Sequence, residues 1–162
     1  MRTIEGSFIG SGLRFAIIAS RFNDLIISRL LDGAVDVLTR HDVKQQDIEV
    51  YRVPGAWELP LIAKEIALSG RYDGIVAIGA VIRGDTPHAD YICAEVSKGL
   101  ASVSLEQRVP IGFGVLTCLN LEQALIRAGS KSGNKGADAA IAALEMANLL
   151  TAARRSLGME EN

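Results

Sequence analysis

The sequence has little of what marks a specialised protein. Its two cysteines, Cys93 and Cys118, stand apart and form no C-x-x-C, which excludes a disulfide scaffold and fits a reduced compartment. Aromatic residues make up only 5% and charged residues 22%, with a net charge of −2. Such a balance gives nucleic acid or an anionic membrane no electrostatic hold, so neither is expected as a partner. No apolar run reaches the length of a membrane span. The start, MRTIEGSF, lacks the apolar core of a secretion signal, and a cytoplasmic setting is expected. Linkers, repeats and low-complexity tracts are missing too. The chain therefore reads as one domain over 1–162, with an N-terminal strand or arm at 1–10 and a C-terminal tail at 155–162.

Several chemistries are missing as well. There is no H-E-x-x-H, paired-cysteine or carboxylate cluster to bind a metal, and no G-x-S-x-G to present a serine. No G-x-G-x-x-G follows the first apolar run, and no G-x-x-x-x-G-K-[ST] occurs near Gly129.

What is present is apolar and periodic. Hydrophobic residues reach 49% and the mean hydropathy is +0.24, a tilt expected of a domain that hides surface against other subunits. Residues 14–19, 48–53, 74–82 and 109–116 are short runs rich in Val and Ile, suited to strands of a parallel sheet covered on both faces. Between them, Ile27, Leu30, Leu31, Ala34, Val35 and Leu38 follow the spacing of one helix face. Leu59, Ile62, Ala63, Ile66 and Ala67 do the same, as do Ile92, Val96, Leu100 and Val103, and then Leu121, Ala124, Leu125 and Ala128. An alanine-rich helix is predicted over 137–155. The alternation specifies an α/β fold, a doubly wound four-stranded parallel sheet with helices on both faces. Residues 3–8, TIEGSF, alternate like a strand but precede the first crossover, so their partner is expected outside this sheet.

Ligands of such a sheet bind beyond the carboxyl ends of its strands. Those ends carry SRFND, PGAWE, RGDTPH and TCLN, with Phe113 inside the fourth run. Taken singly each is ambiguous. Phe22 and Trp57 also suit satellite core positions, Asn23 or Asp24 suits a helix cap, and Glu58 suits a first-turn carboxylate. Their convergence on one edge of the sheet favours a site. In VIRGDTPHADYI, Thr86 suits an N-cap, Pro87 the first helical position and His88 the first turn. Free amides at 85–88 would favour an anion such as phosphate, and the same positive helix end favours a neutral, proton-passing His88. The side chain of Asp85 would repel an anion, leaving contacts there to the backbone. His41, in RHD at a helix end, reads as structural. A second cationic element, IRAGSKSGNKGAD at 126–138, carries Arg127, Lys131 and Lys135 around a glycine-rich bend.

ASRFN, VPGAWELP, GAVIRGDTPHADYI and RAGSKSGNKGADAA, in this order and spacing, resemble lumazine synthase of the riboflavin pathway over essentially the whole chain. The resemblance implies a flavodoxin-like three-layer sandwich whose N-terminal strand pairs with a neighbouring subunit. It implies small-molecule substrates: 5-amino-6-(D-ribitylamino)uracil condenses with 3,4-dihydroxy-2-butanone 4-phosphate to 6,7-dimethyl-8-ribityllumazine, releasing phosphate and water. No metal and no organic cofactor is implied. Phe22, with Asn23, would hold the pyrimidine; Ala56, Trp57 and Glu58 the ribityl chain; Ala80, Val81 and Ile82 the ring edge. Asp85, Thr86, Arg127 and Lys135 would take the phosphate, His88 would relay protons, and Phe113 would reach into a neighbour's site. A homo-oligomer is implied, a pentamer that closes into a sixty-subunit icosahedral shell, and association with riboflavin synthase is left open. Ala89 departs from the bulky aromatic common in the family, and TCLN from a more polar turn, though Asn120 and Gln123 can still form a capping box. The alternative is a non-catalytic flavin or lumazine carrier of the same fold. His88, Arg127 and Lys135 speak against it, since a carrier has no phosphate-leaving substrate to manage.

Overall fold

Runs of Val and Ile become strands because branched side chains pack well on a pleated surface, most of all when both faces are covered. In the computed structural model, which describes residues 1–131 and 133–159, these runs are β1 (Phe15–Ser20), β2 (Ile48–Val53), β3 (Gly74–Ile82) and β4 (Ile111–Cys118). All neighbours pair in parallel, in the order β2-β1-β3-β4. The central strands are buried as continuous apolar runs require, β1 throughout and β3 as far as Ala80. The fourth strand begins two residues later than the run at 109–116 suggests, because the ladder with β3 first pairs Ile75 with Ile111. At the sheet edge it is covered less completely, and Phe113 and Thr117 remain exposed.

The helical faces also fall where their spacing puts them. The crossovers carry α1 (Asp24–Arg40), α2 (Leu59–Leu68) and α3 (His88–Gln107), and the chain closes with α4 (Leu121–Leu125) and α5 (Lys135–Ser156). On one face of the sheet, Phe15, Ile17 and Ala19 pack with Ile27, Leu30 and Leu38 of α1 and with Ala140 and Leu144 of α5. On the other, Ala16, Ile18 and Ile75 pack with Leu59 and Ala63 of α2 and with Val96 and Leu100 of α3. The last helix starts two residues before the stretch 137–155. Asn134 caps it there, its side-chain oxygen accepting from the Gly136 and Ala137 amides at 2.8 and 3.1 Å. Gly136 lies so close to the Leu30 carbonyl that any Cβ would collide with the backbone of α1, which fixes a glycine at this crossing. The expected helix over 121–128 is interrupted: after Leu125 the chain passes into a wider π turn, Ile126–Ser130, with Gly129 at φ 102°.

Residues 3–8 form no strand within the chain. The arm is tied down just after them. The Gly10 amide donates to the His41 carbonyl at 2.6 Å, and Asn148 Nδ2 donates to the Ile9 carbonyl at 3.1 Å. His41 has the structural part its sequence suggests, with Nδ1 bonded to the Val37 carbonyl at 2.8 Å and its ring against Phe8. None of the helices is long and apolar enough to cross a membrane among the described residues. Ser132 of the glycine-rich bend and residues 160–162 of the tail at 155–162 lie outside the described residues.

A polar cluster joins the sheet at its other end, near the starts of the strands. Glu49 of β2 accepts from the Tyr72 and Tyr51 hydroxyls at 2.6 and 2.9 Å and from Arg71 at 2.7 Å. These hydroxyl bonds, aided by Arg71 and Arg14, hold the Glu49 carboxyl below its ordinary range. Burial, then the bond to Glu49, pushes the Tyr72 phenol well above its own. The contribution of Glu49 to stability is therefore present above the ordinary carboxylate range and is lost as pH falls through its lower folded value. Glu49→Gln should lower the urea midpoint at neutral pH and flatten the loss of stability in acid; an acid slope equal to that of the unaltered protein would contradict this.

Candidate active site

The order β2-β1-β3-β4 sends the chain to one side after β1 and to the other after β3, so a crevice opens between their carboxyl ends. A cleft of about 320 Å³ lies there, within the size range of small-molecule sites. Phe22 and Asn23 line it from the end of β1, Ala56 and Trp57 from the turn after β2, and Ala80, Val81 and Ile82 from the end of β3. The start of α3 supplies the remaining wall through Gly84, Thr86, His88, Ala89 and Ile92.

Each wall has a local cause. The end of β1 continues along β2, the Arg21 amide bonding to the Val53 carbonyl at 2.8 Å and the Phe22 amide to the Pro54 carbonyl at 3.1 Å. This leaves the Phe22 ring 72% exposed at the cleft. Asn23 then turns the chain into α1 with a left-handed backbone, φ 63°, which its short amide side chain tolerates. It occupies the N-cap position, yet its side chain makes no capping bond. Instead Nδ2 donates to the Ala80 carbonyl at 2.9 Å, bridging the crevice from β1 to β3. After β2, the Glu58 carboxylate accepts from the Gly55 amide at 2.9 Å and folds PGAWE into a tight turn. Ala56 is buried by that turn, and Trp57 is left 55% exposed.

The start of α3 differs by one residue from the expected cap. His88 is the first helical residue and Pro87 the cap, while Thr86 makes no capping bond. The first turn closes on Pro87, whose carbonyl accepts from the Asp90 amide at 3.0 Å, which leaves Thr86 before the helix. The His88 imidazole is exposed and makes no hydrogen bond to another described residue.

The fourth strand end stays off the cleft. Asn120 Oδ1 accepts from the Gln123 amide at 2.9 Å, as the capping box requires, but the return bond from Gln123 reaches the Leu119 amide at 3.0 Å. Arg127 stands beside this end, where its charge opposes the upward push that burial gives the Cys118 thiol. Lys135 pairs with Asp138 at 2.7 Å in the first turn of α5. Phe113 borders a separate groove with Leu100, Ala101 and Leu105 of α3. Glu58, Asp85, Phe113, Arg127 and Lys135 are thus outside the lining of this cleft, while the other candidates come together in it. Gly84, Ala89 and Ile92 are additions. Ile92 was legible only as a helix-face residue, and Ala89 lines the cleft with a methyl group where a larger side chain would narrow it. Among the described residues no group of three or more His, Cys, Asp and Glu side chains gathers as metal ligands.

A family model described as 6,7-dimethyl-8-ribityllumazine synthase matches residues 12–151. The chain belongs to that family. It is 60% identical over 146 residues to the 6,7-dimethyl-8-ribityllumazine synthase of Syntrophus aciditrophicus (strain SB), covering 90% of this chain and 95% of the relative. It is 55% identical over 150 residues to the protein of that name from Nitratidesulfovibrio vulgaris (strain DSM 19637 / Miyazaki F), covering 93% and 96%. The family match spans every residue that lines the cleft.

The bridge made by Asn23 can be tested through stability. Asn23→Ala removes the bond to Ala80 and replaces asparagine, which tolerates left-handed backbone, with a residue that tolerates it less well, a loss of about 1–3 kcal/mol. Asn23→Gly should recover the backbone part alone. Urea unfolding of Asn23→Ala indistinguishable from the unaltered protein would contradict the bridge.

Proposed function

We propose that the chain is a transferase of riboflavin biosynthesis that condenses 5-amino-6-(D-ribitylamino)uracil with 3,4-dihydroxy-2-butanone 4-phosphate to 6,7-dimethyl-8-ribityllumazine. The observation that carries this reading is the cleft between β1 and β3, which unites two exposed aromatic rings, Phe22 and Trp57, with His88 in a chain of this family. One ring face suits stacking on a planar pyrimidine. In this reading Phe22 and Asn23 hold the pyrimidine, the ribityl chain runs along Ala56, Trp57 and Glu58, and the backbone at Ala80, Val81 and Ile82 meets the ring edge. The butanone phosphate lies toward Asp85 and Thr86, with Arg127 and Lys135 as the cations that accompany its phosphate.

The chemistry asks for proton traffic more than for covalent help. The pyrimidine amine attacks the ketone carbon, and loss of water gives an imine. Removal of a proton from the carbon beside it expels phosphate, and the second nitrogen closes the ring with loss of water. His88 has no hydrogen-bond partner among the described residues and can take and return protons at the cleft wall, a contribution of about 10²–10⁴ in rate. Holding the two substrates in register supplies much of the rest.

The proposed assembly is a cytoplasmic pentamer that closes further into an icosahedral shell. Support comes from Phe113, which borders a groove away from its own chain's cleft, and from residues 3–8, which have no strand partner in their own sheet. A neighbour's sheet edge would satisfy their backbone, and head-to-tail repetition of such a contact closes a ring.

Incubation of purified protein with both substrates should raise lumazine fluorescence well above the uncatalysed rate, and His88→Ala should slow turnover without abolishing it. Tight riboflavin binding with no turnover would instead establish a carrier. Light scattering should report pentamers or larger shells; a monomer or dimer at micromolar concentration would contradict the shared site.

A further inference from the structure

The wall of the cleft that carries His88 is weakly held. Residues 84–87 are all exposed, and neither Asp85 nor Thr86 makes a side-chain hydrogen bond to another described residue. α3 begins without a side-chain cap, and the His88 imidazole has no partner among the described residues to orient it. The position of His88 therefore depends on the backbone at the two ends of the turn.

Both ends are fixed, and they are joined to each other. At one end the Arg83 amide donates to the Cys118 carbonyl at 2.8 Å, adding a rung to the ladder between β3 and β4. At the other the Asp90 amide donates to the Pro87 carbonyl at 3.0 Å and closes the first turn of α3. Between them, Arg83 Nη2 donates to Asp90 Oδ2 at 2.9 Å, across the whole Gly84–Ala89 stretch. We infer that Arg83 and Asp90 are positioning residues, an ion-paired strap that holds the turn over the cleft and sets the place of His88 against the substrates. This inference rests on the part given to His88 above.

An exposed pair of this kind contributes little to folding stability. The side chains are 51% and 59% exposed, so stability is a poor reason for the pair. Its leverage is geometric, since a small misplacement of a proton-relaying group lowers turnover far more than it lowers stability.

The test uses the full-length oligomer with Arg83→Ala, Asp90→Asn, the double variant Arg83→Ala/Asp90→Asn and the exchanged pair Arg83→Asp/Asp90→Arg. Each single change should lower kcat about tenfold, with both KM values within about twofold of the unaltered protein. The double variant should be no slower than the singles, because one strap is cut in every case. The exchanged pair should recover much of the loss, and Tm should move by no more than about 2 °C. Hydrogen exchange at the amides of residues 84–86 and 88–90 gives a readout that needs no turnover. It should quicken in both single variants and slow again in the exchanged pair.

Failure of the unaltered protein to make lumazine would sink the proposed function, and the exchange data would still decide whether the strap exists. Unchanged exchange in Asp90→Asn would overturn the strap. So would a raised KM for the butanone phosphate in Arg83→Ala beside an unaffected Asp90→Asn, because Arg83 would then touch substrate itself.

Discussion

The divergence of the chain at β1 and β3 is the constraint on which the rest depends. Because β1 leads to α1 on one face of the sheet and β3 leads to α3 on the other, the chain parts between the carboxyl ends of these two central strands. Two strands buried along nearly their whole length thereby form the floor of the cleft. Asn23 meets the backbone demand of that opening. Its amide takes the Ala80 carbonyl across the crevice, and its left-handed backbone turns the chain from the Phe22 side of the cleft into α1. Rigidity of the walls at β1 and β3 follows from the core beneath them; the wall at α3 leans on that core through Ile92, and its turn at 84–87 is spanned by the Arg83–Asp90 ion pair.

Much of this was legible in the sequence because its cause is local. Continuous Val and Ile runs announced the buried strands, and three-four spacing announced the buried sides of α1, α2 and α3. The fold class and the edge of the sheet that carries the cleft follow from those patterns alone. Boundaries were less legible, and for a physical reason each time. The fourth strand is placed by its register against β3, which no local pattern encodes. The cap of α3 is decided by a bond between Asp90 and Pro87 against the propensity of Thr86. Asn23 has a capping residue's chemistry but a bridging residue's partner, because Ala80 lies 57 positions away in the chain.

The cations show the other limit of local reading. Arg127, Lys131 and Lys135 sit close in sequence, yet the helix kinks at Gly129 and Lys135 finds Asp138 within its own first turn. None of the three lines the cleft in one chain. The proposed phosphate contacts of Arg127 and Lys135 thus require side-chain movement or a neighbouring subunit. The proposed part of Phe113 requires a neighbour outright, since its groove runs along α3 and β4. A domain with an apolar tilt, an unpaired arm and exposed Leu105, Leu157 and Met159 is suited to supply one.

Trp57 offers the most direct measurement, because it is the chain's only tryptophan and stands half-exposed in the wall of the cleft. Titrating the protein with 6,7-dimethyl-8-ribityllumazine while following tryptophan emission reads occupancy of that one place. The account predicts saturable quenching or a blue shift of Trp57 that reaches its limit at one ligand per chain. Stoichiometric binding, measured independently by calorimetry, that leaves Trp57 emission unaltered would contradict it and move the site elsewhere.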